Sequence, residues 1–327
     1  MEKMIDYIIS WEGVKFVVAI SIKEIVYKEY GKCVEISNGS VDVVVTVDVG
    51  PRVIRFGFLG KENEFCEALE ETTPLDKPME GVWKILGGHR LWHSPENNPR
   101  SYIPDDVPVE WCKIENGIKV KQKVEPWVQI EKEMEITLAA CCDRVRIVHR
   151  LTNRNAWPVE FSVWALTVVA PGGKEIIPQP RRDTGLLGNR VIALWPYSKM
   201  NDHRIYWGDK YIVLQQDPNT RYPFKFGINN EDGWAAYFNH GNLFIKRYIH
   251  QMGAKYPDFG VSYETYTTDF MLEMESLSPL TLVEPNATLS HVEEWELIGD
   301  VEIPSNDEAE IDRVVKEHIV CCSCDCC

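Results

Sequence analysis

The sequence DFMLEME, residues Asp269–Glu275, alternates between the two faces of an extended chain. Successive side chains of a β-strand point to opposite faces of its sheet, so a period of two predicts a strand here. One face carries Phe270, Leu272 and Met274, and the other carries Asp269, Met271, Glu273 and Glu275. Three carboxylates on one face repel one another unless cations or a ligand compensate them. The stretch therefore predicts a strand with one core face and one functional face.

The same period of two recurs on both sides of this strand. Clear segments span residues 41–47, 118–124, 128–136 and 289–298. In the second and third segments, rows of lysine and of glutamate alternate with apolar residues, and we expect these rows to lie on neighbouring strands. The clearest helical signal covers residues 308–320, after a capping box predicted from Ser305 and Glu308. The pattern predicts an all-β fold, a large antiparallel sandwich with few short helices.

The composition excludes several classes of partner. The 327 residues are 44% hydrophobic and include 11 tryptophans, which is enough for a substantial core. The 50 acidic residues outnumber the 35 basic ones and give a formal net charge of −15. Such a charge repels phosphate backbones and anionic lipid surfaces. We therefore expect neither a nucleic acid nor a membrane as partner.

The cysteines do not form the framework of a secreted protein. Five of the ten lie in the final run CCSCDCC, and the others are scattered. The tail lacks the separated Cys-x-x-Cys pairs of a structural zinc site, which favours a reactive tail over a metal site. We predict no metal and no cofactor. Early acidic residues and the lack of a long apolar run near the N-terminus favour a cytoplasmic location.

A second stretch, LGGHRLWHSPEN at residues 86–97, concentrates side chains suited to a binding site. Its paired glycines can adopt positive φ and admit another group close to the backbone, and the following prolines predict a rigid, irregular segment. The candidate functional side chains are His89, Arg90, Trp92, His93 and Glu96. Such polar groups hydrogen-bond to sugar hydroxyls, while an indole stacks on the C–H face of the ring. The alternative is a Gly/Pro corner with Trp92 in the core and the histidines on the surface.

Residues 170–210 are rich in predicted loops, and a loop region of this length usually has a function. Its candidates for sugar contacts are Tyr197, Asp202, Arg204 and Trp207. The alternative is aromatic packing over a sheet, with the charges solvated. Arg181, Arg182 and Lys246 are candidates for contacting a phosphate if the sugar carries one, although two arginines in a Pro-rich loop are more often solvated.

Two segments resemble those of a known superfamily. DFMLEMES followed by EPNATLSHVEEWEL is similar, in order and spacing, to the strands that close the galactose mutarotase-like β-supersandwich proteins. LGGHRLWHSP resembles the Gly-Gly segment that supplies sugar-binding His and Arg groups in that superfamily. Over residues 32–298 the chain looks like a member of an uncharacterised bacterial family within it. The resemblance implies a β-supersandwich that binds a small-molecule carbohydrate, with Glu273 as the catalytic base.

One position departs from the mutarotase pattern. Mutarotases carry an Asn-His pair in a middle strand, whereas EFSVWALTV places Trp164 at the histidine position here. Aldose 1-epimerase chemistry needs a base for the anomeric hydroxyl and an acid for the ring oxygen. On this hypothesis either His89 or His93 takes the acid role, or the reaction is absent. Arg90 would then hydrogen-bond to a sugar hydroxyl, and the ring of Trp164 or Trp92 would stack against the sugar.

Two alternatives remain for the same residues. A protein that kept the groove and lost the acid would bind or sense a sugar without catalysis. A glycoside hydrolase-like enzyme would use Glu273 and Glu275, whose Cα atoms are about 6.6 Å apart on one strand face. Lys246 and Glu275 complete the candidate sugar contacts.

The resemblance also divides the chain. We expect an N-terminal extension at residues 1–31, packed on a supersandwich domain at residues 32–300, and a C-terminal helix with the Cys-rich tail at residues 301–327. The sequence specifies neither the sugar nor the oligomeric state.

Overall fold

A computed structural model describes residues 19–74 and 82–320, and most of the regular structure in them is antiparallel β-strand. The strands, in chain order, are β1 (Ser21–Val26), β2 (Lys32–Ser37), β3 (Val41–Thr46), β4 (Arg52–Phe58), β5 (Glu67–Pro74), β6 (Val82–Ser94), β7 (Glu110–Ile114), β8 (Gly117–Lys121), β9 (Ile130–Leu138), β10 (Arg144–Asn153), β11 (Val159–Val169), β12 (Lys174–Pro178), β13 (Ile192–Leu194), β14 (Ile205–Trp207), β15 (Tyr211–Gln215), β16 (Phe224–Ile228), β17 (Trp234–Asn239), β18 (Asn242–Tyr248), β19 (Tyr263–Thr267), β20 (Leu272–Leu277), β21 (Thr281–Val283) and β22 (Thr288–Ile298).

These strands form two large sheets. The first sheet has the order β1-β2-β3-β4-β6-β11-β20-β19-β16-β13, with β5 paired to β6 and β21 paired to β11. The second sheet has the order β14-β15-β12-β17-β18-β22-β10-β9-β8-β7. Both sheets therefore combine strands from distant parts of the sequence, and β6, β11 and β20 are neighbours near the middle of the first.

The main core is a cluster of apolar side chains supplied by both sheets. Phe56 on the first sheet packs against Phe244 and Trp295 on the second, with ring centroids 6.1 Å away in each case. All three side chains are fully buried, as the period-two pattern requires of core-facing positions. The predicted all-β sandwich is confirmed.

The charged rows on β8 and β9 pair as the sequence predicts. Lys119 lies opposite Glu135, and Lys121 lies opposite Glu133. Ion pairs run diagonally between the rows, since the Lys121 ammonium is 3.1 Å from Glu131. These charges stabilise an exposed strand pair modestly and form no site.

The segment around the paired glycines lies mostly within a strand, so the prediction of an irregular stretch holds only in part: Leu86 has a positive φ of 56°, and the strand ends at Ser94. It belongs to β6, a strand of 13 residues. Gly87 and Gly88 do have positive φ, at 84° and 65°. A Cβ on Gly88 would lie 2.4 Å from the carbonyl oxygen of Val53. The glycines thus allow β4 to approach β6 closely, and pairing with β11 keeps the rest of the strand extended.

Helical structure in the described residues is limited to a 3-10 turn and one C-terminal helix. The turn spans Lys28–Tyr30, and α1 (Glu308–Val314) continues as a π-helical stretch, Val315–Val320. The helix exists as predicted, but its N-cap is Asp307, whose carboxylate accepts the backbone N–H groups of Ala309 and Glu310. An aspartate is as good an N-cap as a serine, and it lies at the residue directly before the helix.

The helix packs on the face of the second sheet that points away from the core. Ile311 and Ile319 contact a cluster that includes Phe238 and Ile245. The C-terminal tail, residues 321–327, and residues 1–18 of the predicted N-terminal extension lie outside the described residues. The part of the extension that is described adds β1 to the edge of the first sheet. No helix in residues 19–74 or 82–320 is long and apolar enough to cross a lipid bilayer.

Candidate functional site

A cavity of about 440 Å³ lies on the face of the first sheet that points away from the core. It is lined by β5, β6, β11, β16, β19 and β20, and by segments that follow β6 and β13. The lining residues are Glu71, Thr72, Trp83, Ile85, Arg90, Trp92, Glu96, Tyr102, Trp164, Leu166, Trp195, Tyr197, Pro223, Lys225, Tyr266, Phe270, Met271 and Glu273. The volume falls in the range of small-molecule sites, and eight of the eighteen lining residues are aromatic.

Strand alternation decides which predicted side chains reach this cavity. On β6, Arg90 and Trp92 face the cavity, whereas Leu91 belongs to the core cluster on the opposite face. On β11, Trp164 lies directly opposite Trp92. On β20, Glu273 faces the cavity next to its aromatic wall. Four of the predicted sugar-site residues are therefore brought together from three adjacent strands.

An ion pair joins Arg90 and Glu273 across the intervening strand β11. The Arg90 Nη1 donates to Glu273 Oε1 over 2.8 Å, and the two side chains are only 4% and 7% exposed. The guanidinium also lies over the rings of Trp92, at 4.5 Å, and Trp83, at 5.3 Å. A planar cation over aromatic faces is held firmly, so the carboxylate has a fixed position in the cavity wall.

A second cation, Lys225, lies in the same wall with two carboxylates behind it. Its Nζ is 2.8 Å from Glu264 Oε2 and 2.9 Å from Glu275 Oε2. The ammonium also lies 4.8 Å from the ring of Trp164 and 4.7 Å from that of Trp195. The Trp164 Nε1 donates to the same Glu275 oxygen over 2.9 Å. Trp164, at the position where the sequence differs from the mutarotase pattern, thus helps to fix this charged cluster.

Burial controls the protonation of this cluster. Burial alone lowers the pKa of Lys225, but Glu264 and Glu275 outweigh it and raise that pKa well above its ordinary value. Burial raises the pKa of Glu275 to about 7, with Lys225 opposing the shift. Burial likewise raises the pKa of Glu264. Lys225 therefore remains a cation at neutral pH, and its charge in turn opposes the protonation of Glu264 and Glu275.

The mouth of the cavity is aromatic and acidic. The Tyr102 hydroxyl donates to Glu96, and the Tyr102 ring packs edge-on against Trp92 with centroids 5.0 Å apart. On the other side, Tyr197 is 42% exposed and meets Tyr266 edge-on at 6.4 Å. Flat aromatic surfaces with hydrogen-bonding edges suit a ligand that has C–H faces and hydroxyl rims.

Neither predicted catalytic histidine lines the cavity. His89 is fully buried on the core side of β6, where its Nδ1 lies 2.9 Å from Thr167 Oγ1 and its Nε2 lies 2.7 Å from His149 Nε2. His93 is also on that side and packs against Phe161. Both occupy odd-numbered positions of β6, one residue out of phase with Arg90 and Trp92. Burial lowers the pKa of both imidazoles well below its ordinary value, which keeps them neutral.

Other predicted contacts are also separate from the cavity. Arg204 and Asp202 form a buried ion pair of 2.9 Å with each other, and the Trp207 ring packs against Phe226. Lys246 is fully buried between the sheets. Glu275 does not line the cavity because Lys225 and Trp164 cover it. Among the candidates of the 170–210 region, Tyr197 alone contributes to the wall, and Glu273 and Glu275 do not flank the cavity as a pair.

Three potential metal ligands meet between the sheets, away from the cavity. Their ligating atoms, on His89, His149 and Glu293, lie within 4.8 Å of one another. Every one of these side chains is already engaged: His149 Nδ1 bonds to the His291 carbonyl at 3.1 Å, and Glu293 pairs with Lys246 at 2.9 Å. A resident ammonium and satisfied imidazoles describe a structural hydrogen-bond network better than a cation site.

Sequence reasoning missed several residues of the wall. The most important is Lys225, in the segment FKFGI of β16, with Glu264 and Trp195 beside it. A lysine within an apolar strand is the same signal that points to Lys246, so it was available in the sequence. Trp83 and Tyr102 had no such signal, because aromatic residues near a turn are equally typical of a core.

Comparison with solved structures identifies the architecture. A candidate aldose 1-epimerase from Klebsiella pneumoniae superposes with a TM-score of 0.60 at 13% identity, covering 91% of this chain and 86% of that one. A galactose mutarotase-like protein from Clostridium acetobutylicum gives 0.50 at 10% identity, covering 86% and 99%. The chain has the galactose mutarotase-like fold. This confirms the fold that the resemblance of the two closing strands implies.

A third neighbour shows that this fold also occurs within longer chains. It is a TPR-domain containing protein from Parabacteroides distasonis, with a TM-score of 0.55 at 11% identity. The match covers 83% of the present chain but only 48% of that protein. No protein-family model matches the sequence, and no curated protein matches it. The likeness is therefore one of fold.

Proposed function

We propose that the cavity binds an aldose and that the protein is a carbohydrate-binding member of the mutarotase-like fold. The observation that carries the proposal is the Arg90–Glu273 pair, fixed at 2.8 Å in a wall of aromatic rings. A guanidinium and a carboxylate side by side offer donors and acceptors to neighbouring hydroxyls. Trp92 and Trp164 offer flat surfaces for the C–H face of a sugar ring. The mutarotase-like fold supports this choice of ligand class.

A second candidate function is an aldose 1-epimerase-like isomerase, favoured by the position of Glu273 in the wall. Its carboxylate would take the proton of the anomeric hydroxyl as the bond between the anomeric carbon and the ring oxygen breaks. The ring oxygen would accept a proton from the ammonium group of Lys225, which can give up a proton and later be protonated again. Rotation of the open aldehyde and the reverse steps then return both protons.

The charge environment argues for binding over catalysis. Lys225 has a pKa raised well above its ordinary value, because Glu264 and Glu275 stabilise its charge, so it is a weak acid. The acid role predicted for His89 or His93 is not part of this proposal, since neither faces the cavity. The cytoplasmic location stays a prediction.

Calorimetric titration with a panel of aldoses tests the binding proposal. We expect at least one aldose to bind, and Glu273→Gln to weaken that binding by about tenfold or more, because a hydrogen bond to a charged group is lost. Glu24→Gln, at an exposed position of β1 in the same sheet, is the matched control and should bind as the unmodified protein does. If no aldose binds, or if both variants bind equally well, the proposal is incorrect.

Polarimetry on each sugar that binds separates the two candidate functions. An isomerase accelerates the approach of a freshly dissolved anomer to equilibrium, and Glu273→Gln would abolish that acceleration while the Glu24→Gln control would retain it. A sugar that binds with an unchanged rate of mutarotation identifies a binding protein. Because the pKa of Lys225 is high, we expect a sugar to bind while its rate of mutarotation stays unchanged.

A further inference from the structure

The charged side chains of the cavity wall are predominantly acidic. Among the described residues the wall contains the carboxylates of Glu71, Glu96 and Glu273 and the cations Arg90 and Lys225. Three carboxylates against two cations leave a net charge of −1. This balance omits Glu264 and Glu275, whose ionised carboxylates add to the negative charge around Lys225.

Neither cation of the wall is free to meet an anion. Arg90 is paired with Glu273 at 2.8 Å, and Lys225 is paired with Glu264 at 2.8 Å and with Glu275 at 2.9 Å. Their open faces are also covered, because each lies over two indole rings at 4.5 to 5.3 Å. A phosphate or carboxylate that contacts Arg90 or Lys225 would lie beside the carboxylate already paired with that cation, or would have to displace it and leave it unpaired.

Two carboxylates near the mouth, Glu71 and Glu96, form no direct ion pair with a cation in residues 19–74 and 82–320, although Glu96 contributes to the raised pKa of Lys225. Glu96 accepts a hydrogen bond from the neutral hydroxyl of Tyr102, and Glu71 is exposed beside Thr72. The charge of the half-buried Glu96 acts on a ligand through its aromatic surroundings, whereas water screens the charge of the exposed Glu71 more strongly. At separations of several ångströms this repulsion weakens binding of a monoanion by about tenfold or more.

The arginines considered as phosphate contacts lie outside the cavity wall and are already paired. Arg181 Nη2 is 2.9 Å from Asp232, and Arg182 Nη2 is 3.2 Å from Glu231. Lys246, the third candidate, is sealed between the sheets with Glu293. None of these three cations supplies a phosphate site to the cavity.

We propose that the cavity selects uncharged aldoses and excludes sugars that carry a phosphate or a carboxylate group. The inference rests on the proposed function, since it names the class of sugar that the same cavity takes. Uncharged hydroxyls can share the Arg90–Glu273 pair as both donor and acceptor without separating its charges. An anionic substituent gains no free cation and meets Glu71 and Glu96.

Calorimetric titration with matched sugar sets tests the selection. The sets are glucose, glucuronate and glucose 6-phosphate, then galactose, galacturonate and galactose 6-phosphate, with mannose and mannose 6-phosphate as a third. We expect an uncharged member to bind and its anionic counterparts to bind at least about tenfold more weakly. Equal or tighter binding of an anionic member would overturn the inference while leaving the proposed function intact. If no sugar in any set binds, both are overturned.

Removal of one carboxylate charge tests whether the carboxylates of the wall cause the selection against anionic sugars. Glu96→Gln retains an oxygen that can accept a hydrogen bond from Tyr102. It should lower the ratio of the affinity for an uncharged sugar to the affinity for its anionic counterpart by about threefold or more. Glu71→Gln, at an exposed position, should narrow it in the same direction if the first variant does not fold. Glu302→Gln removes one exposed charge away from the cavity wall and should leave the ratio unchanged. A ratio unchanged in both wall variants would overturn the inference.

Discussion

Glu175 is a fully buried carboxyl group whose charged state is disfavoured by the fold. It lies on β12, and its Oε1 accepts a hydrogen bond from the Tyr263 hydroxyl at 2.6 Å. Burial raises its pKa from 4.5 to about 8, and the neighbouring Glu275 acts in the same direction. Tyr263 and Lys246 oppose the shift without cancelling it. The folded protein therefore holds a proton here that the unfolded chain releases above pH 4.5.

This difference predicts a pH-dependent stability. Between pH 4.5 and about 8 the folded state binds more protons at Glu175 than the unfolded state, so the free energy of unfolding falls as pH rises. The fall approaches about 1.4 kcal/mol per pH unit. In Glu175→Gln this contribution is absent. We expect the variant to gain stability relative to the unmodified protein from about pH 5 to about pH 8, measured by urea unfolding at each pH.

The control for this prediction is an exposed carboxylate. Glu110→Gln, at an exposed position of β7, should keep a constant stability difference over the same pH range. A constant difference for Glu175→Gln as well would mean that the buried carboxyl titrates alike in the folded and unfolded chains. Other buried acids are common to all three proteins and cancel in the comparison when they act independently.

The strand β6 shows what a sequence can and cannot specify about an element. Its Gly-Gly pair predicts positive φ and close approach, and both are present. The strand that continues beyond the glycines was missed because its extended form depends on pairing with β11. That partner begins only at Val159, whereas β6 ends at Ser94, and four other strands lie between them in the chain. Non-local pairing of this kind leaves no local signal.

The close approach at the paired glycines gives a prediction at the level of this strand. In Gly88→Ala the new Cβ would meet the Val53 carbonyl oxygen at 2.4 Å, in addition to the strain of positive φ. Gly60→Ala has the same kind of backbone, with φ of 71°, but nothing lies within 4 Å of its Cβ. We expect about 1 kcal/mol of destabilisation for Gly60→Ala and at least about 2 kcal/mol more for Gly88→Ala. Urea unfolding measures both, and equal losses would mean that β4 and β6 can move apart without cost.

For the whole molecule, the period of two was sufficient to predict an all-β sandwich, because each strand carries its own alternation. The site was harder to predict, since Arg90, Glu273 and Lys225 come from three strands whose order depends on long-range pairing. The two histidines, His89 and His93, show the limit most clearly. They are adjacent in sequence to cavity residues, yet a shift of one position places a side chain on the opposite face of the sheet.

The two sheets are also joined by a polar connection through the core. Lys246, on β18 of the second sheet, donates to the carbonyl oxygens of Ala165 at 2.9 Å and Met274 at 2.7 Å on the first sheet. It also pairs with Glu293 on β22 at 2.9 Å. Both charged side chains are fully buried, so each is the principal compensation for the other.

Removing the ammonium alone should therefore be costly. In Lys246→Met the Glu293 carboxylate loses its buried cation, and we expect the free energy of unfolding to fall by about 3 to 5 kcal/mol. The double variant Lys246→Met/Glu293→Gln should recover part of that loss, because no buried charge remains unpaired. Lys255→Met, whose side chain is 70% exposed, is the matched control and should change stability by less than about 1 kcal/mol. Urea unfolding measures the stability of the three variants. A single variant as stable as the control, or a double variant less stable than the single one, would show that the loss of stability does not come from leaving Glu293 unpaired.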